Sequence, residues 1–455
     1  MSGAAAHSAS SGGGRAIVVG AGLAGLAAAL RLSAAGMRVR IFEGAAQAGG
    51  RCRSFHDATL DRLIDNGNHL VLTGNRSVQA HLRETGAEDA MIAAPTAILP
   101  FVDLRDGRRW RIAMNAGPLP WWVCAPSRRA PGTSALDYAA ALSLLTAGRG
   151  ATVAEAIRGR GPAWELFWEP MTVAALNAPP ERASARLLWA VLAETFSRGA
   201  AASRPMFARE GLGPALVEPA LRVLKARGAE VRFGASVKGL ERRGARVTAL
   251  RLGGESLAVG ADEQVVLALP PGKLRIVAPW IDAPEDRSAI VNAHFKLPDP
   301  AILSDAPPIL GVIGAATHWI FARDGVASIT ISAAEAYEGV LDAPSDALAP
   351  RLWAETRAAL GLREGLEPVA SRIVKEKRAT FDQSPDGVAR RPKAATDLEN
   401  LTLAGDATDT GLPATIEGAI RSGHVAARLA VRAARRAARL NSERPAAAVA
   451  AAGAE

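Results

Sequence analysis

The stretch that most constrains this chain runs from Ala16 to Glu43, AIVVGAGLAGLAAALRLSAAGMRVRIFE. A short apolar run, Ala16 to Val19, has the composition of a parallel strand buried on both faces. Gly20, Gly22 and Gly25 follow it as G-x-G-x-x-G, and an Ala/Leu-rich helical pattern from Leu23 to Ala35 closes at Gly36. A second strand, Arg38 to Phe42, carries Glu43 at its end. Strand, glycine turn, helix, strand and acid within about 30 residues form a dinucleotide-binding unit. The three glycines differ in what they do. Gly20 turns the chain out of the strand, Gly22 lets backbone approach a pyrophosphate, and Gly25 lets the helix pack closely on the sheet. The turn Gly20, Ala21, Gly22, Leu23, Ala24, Gly25 then presents free N–H groups and a favourable helix dipole to the diphosphate. Glu43 sits where a carboxylate accepts hydrogen bonds from the adenosine ribose.

Which dinucleotide is bound depends on segments further along. Gly49-Gly50-Arg51 brings a glycine pair and a cation directly after the ribose acid, suiting a second approach of backbone to phosphate. Asp65-Asn66-Gly67-Asn68-His69 lies between two apolar runs and reads as a strand end or loop at a site. There His69 either lies beside a bound ring or is simply satisfied within a turn. Near the C-terminus, LTLAGDATDTGLPATIEGAIRSG (residues 401–423) reads as a strand, Gly405-Asp406, a loop, and a helix starting near Thr415. Asp406 can hold a polyol hydroxyl, and the N–H groups around Thr415 and Ile416 can stabilise negative charge on a ring. A nicotinamide cofactor has no need of this second half-site. A flavin, with a ribityl chain and a ring edge that turns anionic on reduction, does.

The fold class expected is α/β: a discontinuous Rossmann-like FAD-binding domain with a second, mixed α+β substrate domain. Residues 15–76, 205–276 and 395–440 are assigned to the FAD domain, and 77–204 (helical) with 277–394 (sheet) to the substrate domain. Strands are expected at Ile309–Ile313, Thr317–Ala322, Ala327–Ser332 and Glu367–Glu376, and a helix at Ser345–Leu360. Residues 1–14 and 441–455 are expected as disordered tails, the first with neither the basic start nor the apolar core of a secretory signal. The helical region is rich in tryptophan. Trp164 and Trp168 share one helix face, as core or as an apolar tunnel, while the adjacent Trp121 and Trp122 are hard to bury together.

Composition narrows the remaining classes. No apolar run is long enough to span a bilayer. Cys52 and Cys124, the only cysteines, supply neither a disulfide framework nor metal-ligand spacing, so no metal site is expected and a reducing cytoplasm fits. The net charge of +9 has no basic run interleaved with aromatics, which argues against nucleic acid and leaves contact with an anionic membrane surface open.

Taken together, Gly20-x-Gly22-x-x-Gly25, Glu43, Gly49-Gly50-Arg51, Asp65-x-Gly67-x-His69 and Gly405-Asp406 resemble the FAD-dependent amine oxidase and phytoene desaturase superfamily from near one end of the chain to near the other. KEKRATFDQSPD and NLTLAGDATDTGLPATIEGAIRSG, with Gly67-Asn68-His69, are similar to a narrower group, the squalene-associated, desaturase-like hydroxysqualene dehydroxylases of hopanoid biosynthesis. The resemblance implies noncovalently bound FAD and reductive removal of a hydroxyl from a long apolar isoprenoid, hydroxysqualene, to give squalene. It implies that Gly20 to Gly25 take the diphosphate, Glu43 the adenosine ribose, and Gly50 and Arg51 the phosphate or ribityl side. Val237 offers backbone to the adenine, Gly405 and Asp406 hold the ribityl chain, Thr415 and Ile416 face the flavin pyrimidine edge, and Gly67, Asn68 and His69 approach the ring. Asp409 and His69 are the ionisable groups nearest the chemistry by motif position. Association with the upstream synthase-like enzymes and a place at the inner face of the cytoplasmic membrane fit the same resemblance. The competing expectations are a carotenoid or polyene desaturase, an amine oxidase, and a non-catalytic flavoprotein scaffold.

Overall fold

The computed structural model describes residues 14–452. Of the two expected tails, residues 1–13 and 453–455 lie outside the described residues. The last helix, Ile416–Ala452, continues through the segment from 441 onward where a tail was expected. That segment is rich in alanine, the strongest helix former.

The apolar strand Arg15–Val19 is the centre of a five-stranded parallel sheet, in the order Glu230–Arg232, Arg38–Phe42, Arg15–Val19, Glu263–Ala268, Leu401–Ala404. Val19 lies opposite both Phe42 and Leu267, and Ala268 lies opposite Ala404. The strands therefore end in step, and Gly20, Glu43 and Gly405 leave the sheet along one carboxyl edge, the ligand edge of an open parallel sheet. Leu23–Ala34 and Ile416–Ala452 cover one face through Leu26, Ala27, Leu30, Ile420 and Ala427. An antiparallel meander, Gly239–Arg243, Arg246–Arg251 and Ser256–Ala258, covers the other with Val247 and Leu250.

The domain division differs from expectation after residue 76. Helix Arg76–Thr85 places Val78 and Leu82 in the same core as Leu26 and Ile420, joined by Met91 and Met206 from a small antiparallel sheet. The nucleotide domain thus extends through Ala93, because this helix is amphipathic and its apolar stripe completes that core.

The second domain is built on a seven-stranded sheet, ordered Ala370–Phe381, Asp286–Lys296, Val326–Ser332, Trp319–Arg323, Ile309–Ile313, Ile98–Asp103, Arg109–Ala113. The expected strands and the helix Ser345–Leu360 are present. The last pair is not helical as expected: Ile98–Asp103 and Arg109–Ala113 form a hairpin that extends the sheet, with Ile98–Asp103 running parallel to Ile309–Ile313. One sheet face buries Val291, Phe295 and Ile329 against Leu352 and Trp353. On strands Asp286–Lys296 and Val326–Ser332 the alternate positions carry Asn292, His294, Ser328 and Thr330, paired across the ladder.

Helical turns between residues 121 and 203 cap this domain. Phe167 and Trp168 are buried, with Trp122 and Tyr138, in an edge-to-face cluster, and Trp164 is buried in the same core. The Trp164/Trp168 face is therefore core. The adjacent tryptophans divide: Trp122 is 4% exposed and Trp121 52%.

Packing and burial each set an expected outcome. A Cβ on Gly423 would lie 2.2 Å from the carbonyl oxygen of Ala24, where the two helices cross. Gly423→Ala is expected to destabilise the protein by about 1–3 kcal/mol, measured by urea unfolding with FAD bound. Burial pushes His294 and His318 down to about 4 and, with nearby Arg31, His424 down to about 3. Unfolded histidine titrates near about 6.5, so the unfolded chain takes up protons that the folded chain refuses. Stability is then complete above that value and falls as pH drops toward about 4. His294→Gln is expected to reduce the slope of stability against pH in this window by close to one proton.

Candidate cofactor and active site

The glycine turn separates packing from binding. A Cβ on Gly20 would lie 2.3 Å from the Ala268 carbonyl oxygen, and one on Gly25 1.9 Å from that of Gly20. A Cβ on Gly22 would meet nothing within 4 Å. The outer glycines are thus demanded by the fold, while the middle one faces open space at the N-terminus of Leu23–Ala34, the cradle a diphosphate requires. Gly49 donates its N–H to the Ala21 carbonyl at 2.8 Å, so the Gly49-Gly50-Arg51 turn lies against the first one. Glu43 accepts from the N–H groups of Ala21 (2.7 Å) and Ala45 (2.8 Å). Its carboxylate is pinned beside the turn with lone pairs left for ribose hydroxyls. Val237 is buried on the same side, where Ser236 packs against Gly44.

The C-terminal half-site closes on the first. Arg51 donates to Asp406 Oδ1 at 2.5 Å and to the Ala379 carbonyl at 2.6 Å. Burial works against the charge on Arg51, but attraction and hydrogen bonding from Asp406 hold its guanidinium above its ordinary value. Asp406 is buried and directly follows Gly405 at the sheet edge. Gly405 has φ of +128° and donates its N–H to Ser422 Oγ at 2.7 Å. The last helix begins at Ile416, and Thr415 Oγ1 caps it by accepting the Gly418 N–H at 3.0 Å. The first-turn N–H groups of Ile416 and Glu417 are thereby left without helical partners, a second positive helix end beside the first half-site.

Several functional residues escape sequence reasoning. Arg391 buries its guanidinium among the carbonyls of Asp406, Thr408 and Leu412, shaping the whole loop between Asp406 and the helix. Gln383 accepts the Ala414 N–H and donates to the Leu176 carbonyl, so it ties that loop to the helical cap. Glu417 accepts from Ser77 and Val78 and pairs with Arg421. Gln383 and Glu417 fall inside the two family-like runs, but their roles need the partner segments. Arg391 lies in no motif.

The Asp65–His69 segment serves mixed ends. Asp65 Oδ1 accepts from Ser54 and from the Leu212 N–H, bracing the Gly211–Gly213 turn. Asn68 directs its amide to the second sheet, at 3.2 Å from Thr330 Oγ1 and 3.3 Å from the Ile329 carbonyl, and so ties this segment to that sheet. Gly67 leaves room: a Cβ there would be 3.3 Å from Asn292 Nδ2 and 3.8 Å from His69 Nε2. Burial, reinforced by Arg51, pushes His69 down to about 4. Asp409 is exposed, and its carboxylate accepts the Gly411 N–H at 3.3 Å. Among the described residues no group of His, Cys, Asp and Glu could hold a metal ion.

A parallel-sheet nucleotide domain with two helix ends, a ribose acid and an Arg–Asp clasp at one edge, facing a second sheet domain, is that of a flavin-dependent oxidoreductase. Residues 23–431 match the family of flavin containing amine oxidoreductases. The chain is 43% identical over 419 residues to the hydroxysqualene dehydroxylase of Rhodopseudomonas palustris, covering 92% of this chain and 98% of that one. It is 42% identical over 414 residues to that of Sinorhizobium fredii, covering 91% and 97%. A putrescine oxidase variant has the same fold at 16% identity, with a TM-score of 0.66 over 91% of this chain and 98% of the other. The chain belongs to the flavin containing amine oxidoreductases, within the hydroxysqualene dehydroxylase group, and FAD is the cofactor that the site fits.

If the clasp grips that cofactor, Arg51→Met and Asp406→Asn are each expected to weaken FAD binding at least about tenfold, because either leaves a desolvated charge without its partner. Arg391→Met is expected to do the same through the loop. Fluorescence titration of the apoprotein with FAD measures all three.

Proposed function

We propose that this protein removes the hydroxyl of hydroxysqualene to give squalene, a step toward hopanoid-type triterpenoids, with reduced FAD as the reductant. The supporting observation is identity above 40% to hydroxysqualene dehydroxylases across nearly their whole length. The clasped site supplies the matching chemistry. The allylic C–O bond breaks, its oxygen leaves as water with one added proton, and a C–H bond replaces it. Reduced flavin supplies the hydride when bound.

The chain's own residues position and shield. Arg51, Asp406 and the Thr415-capped helix hold the cofactor at the sheet edge, and the two domains enclose the reacting carbon against water. Burial, reinforced by Arg51, holds His69 well below its ordinary value, so it is neutral at pH 7. It is therefore no store of protons for the reaction. Asp409, on the exposed loop leading to the capped helix, has the solvent access to relay the proton. The enzyme that makes hydroxysqualene is a candidate partner.

Purified protein is expected to be yellow, and its anaerobically reduced form to convert hydroxysqualene to squalene in a single turnover. A further desaturated product from a polyene substrate, with no squalene formed, would instead establish the desaturase alternative. Asp409→Asn is expected to slow the single turnover by about a hundredfold without changing FAD content; an unaltered rate would remove Asp409 from the mechanism.

A further inference from the structure

Eleven large apolar side chains are strongly exposed among the described residues, and five of them, Leu119, Trp121, Leu136, Leu142 and Leu145, lie in one short stretch. Of the other six, Ile276 and Trp280 lie four residues apart, and Ile92, Phe233, Val369 and Leu440 stand singly along the chain. The five form the outer side of elements whose inner side is core. The Trp122 and Tyr138 rings meet at 5.2 Å, so the turn Trp121–Cys124 adjoins helix Ala135–Ala139. Helix Ala141–Thr146 follows at once, burying Leu144 and exposing Leu142 and Leu145 a turn apart. Next to them opens a surface hollow of about 590 Å³ lined by Ala140, Ala147, Ala151 and Ala156 with Ser143, Glu155 and Arg158.

The segment that carries this face, residues 119–160, has one sign of charge in excess. Arg128, Arg129, Arg149, Arg158 and Arg160 stand against Asp137 and Glu155. Both acids are engaged in helix caps, at 2.6 Å from the Ser134 N–H and 2.9 Å from the Thr152 N–H. The Arg128 guanidinium lies over the Trp121 ring at 4.9 Å, and that of Arg160 over the Trp164 ring at 3.7 Å. Aliphatic tips, a half-exposed tryptophan and arginines stacked on aromatic faces are the chemistry of a bilayer interface: the apolar tips enter the acyl region, and the guanidinium groups stay among phosphates. Among the described residues no helix is long and apolar enough to cross a membrane, so the contact is with one leaflet.

We infer that the Leu119–Leu145 face, with its arginine rim, docks the protein on an anionic lipid surface. Trp121 inserts and Trp122 does not, since Trp122 is already core. This docking follows from exposure and charge, independently of which lipid-soluble substrate is reduced.

Flotation of the FAD-loaded full-length protein with phosphatidylcholine vesicles, with and without phosphatidylglycerol, tests it. Binding is expected with the anionic vesicles and to weaken as salt is raised. The double variant Leu142→Glu/Leu145→Glu is expected to lower the vesicle partition at least about tenfold, with its flavin spectrum and its turnover of detergent-dispersed substrate unchanged. Ile276→Glu, an exposed position elsewhere, is expected to bind as wild type. Undiminished partition of the double variant, or no flotation with anionic vesicles, would overturn the inference. So would a dimer in light scattering that the double variant converts to monomer, since the face would then join copies of the chain.

Discussion

The ion pair between Arg51 and Asp406 joins residues 355 positions apart and closes the cofactor site from both sides. One partner enters from the turn after the second strand, and the other from the end of the last. They meet only because the parallel sheet places both strand ends on one edge in matched register. Arg51 also holds the Ala379 carbonyl at the end of the long strand Ala370–Phe381, so the same guanidinium ties the nucleotide domain to the second sheet. The join between the two half-sites and the placement of the second sheet thus share one side chain.

Around that pair the electrostatics favour an electron-rich cofactor. Two helix N-termini point at the edge, one fronted by the open space at Gly22 and the other capped by Thr415. The flanking histidine is held neutral, so it adds no charge to compete with them. The loop that presents the second helix would expose several carbonyls to an apolar surrounding. Arg391 takes them up, and stacking on Phe381 helps shield its own charge. The helical cap buries its aromatic cluster, and its outer surface carries the exposed leucines and arginines.

Local pattern carries much of the architecture. The Ala16–Glu43 unit, the strands at 309–313 and 327–332, and the helix Ser345–Leu360 are legible because their periodicity and turn residues act within a few positions. The hairpin Ile98–Asp103/Arg109–Ala113 is obscured in the sequence by Pro100 and by flanking helical segments; its first strand gains its outer partner from a strand some two hundred residues away. Helix Arg76–Thr85 belongs to a different domain than its neighbours in sequence suggest, because an apolar stripe reveals that a helix is covered, not by what. The pair Trp121-Trp122 shows the same limit at one position: adjacent residues of equal hydrophobicity have opposite fates once Tyr138 packs against only one of them.

The amino-acid sequence alone determined the first strand, glycine turn, helix and second strand, with Gly22 at the helix start and Glu43 at the second strand's end, since these depend on chain geometry within one βαβ unit. It also placed Asp406 and Thr415 at a second half-site. Only the tertiary structure decided that Arg51 and Asp406 touch, that Asn68 turns to the second sheet, and that Arg391 and Gln383 hold the loop. These contacts join segments far apart in the chain, and no local periodicity records which distant carbonyl or carboxylate a side chain will meet.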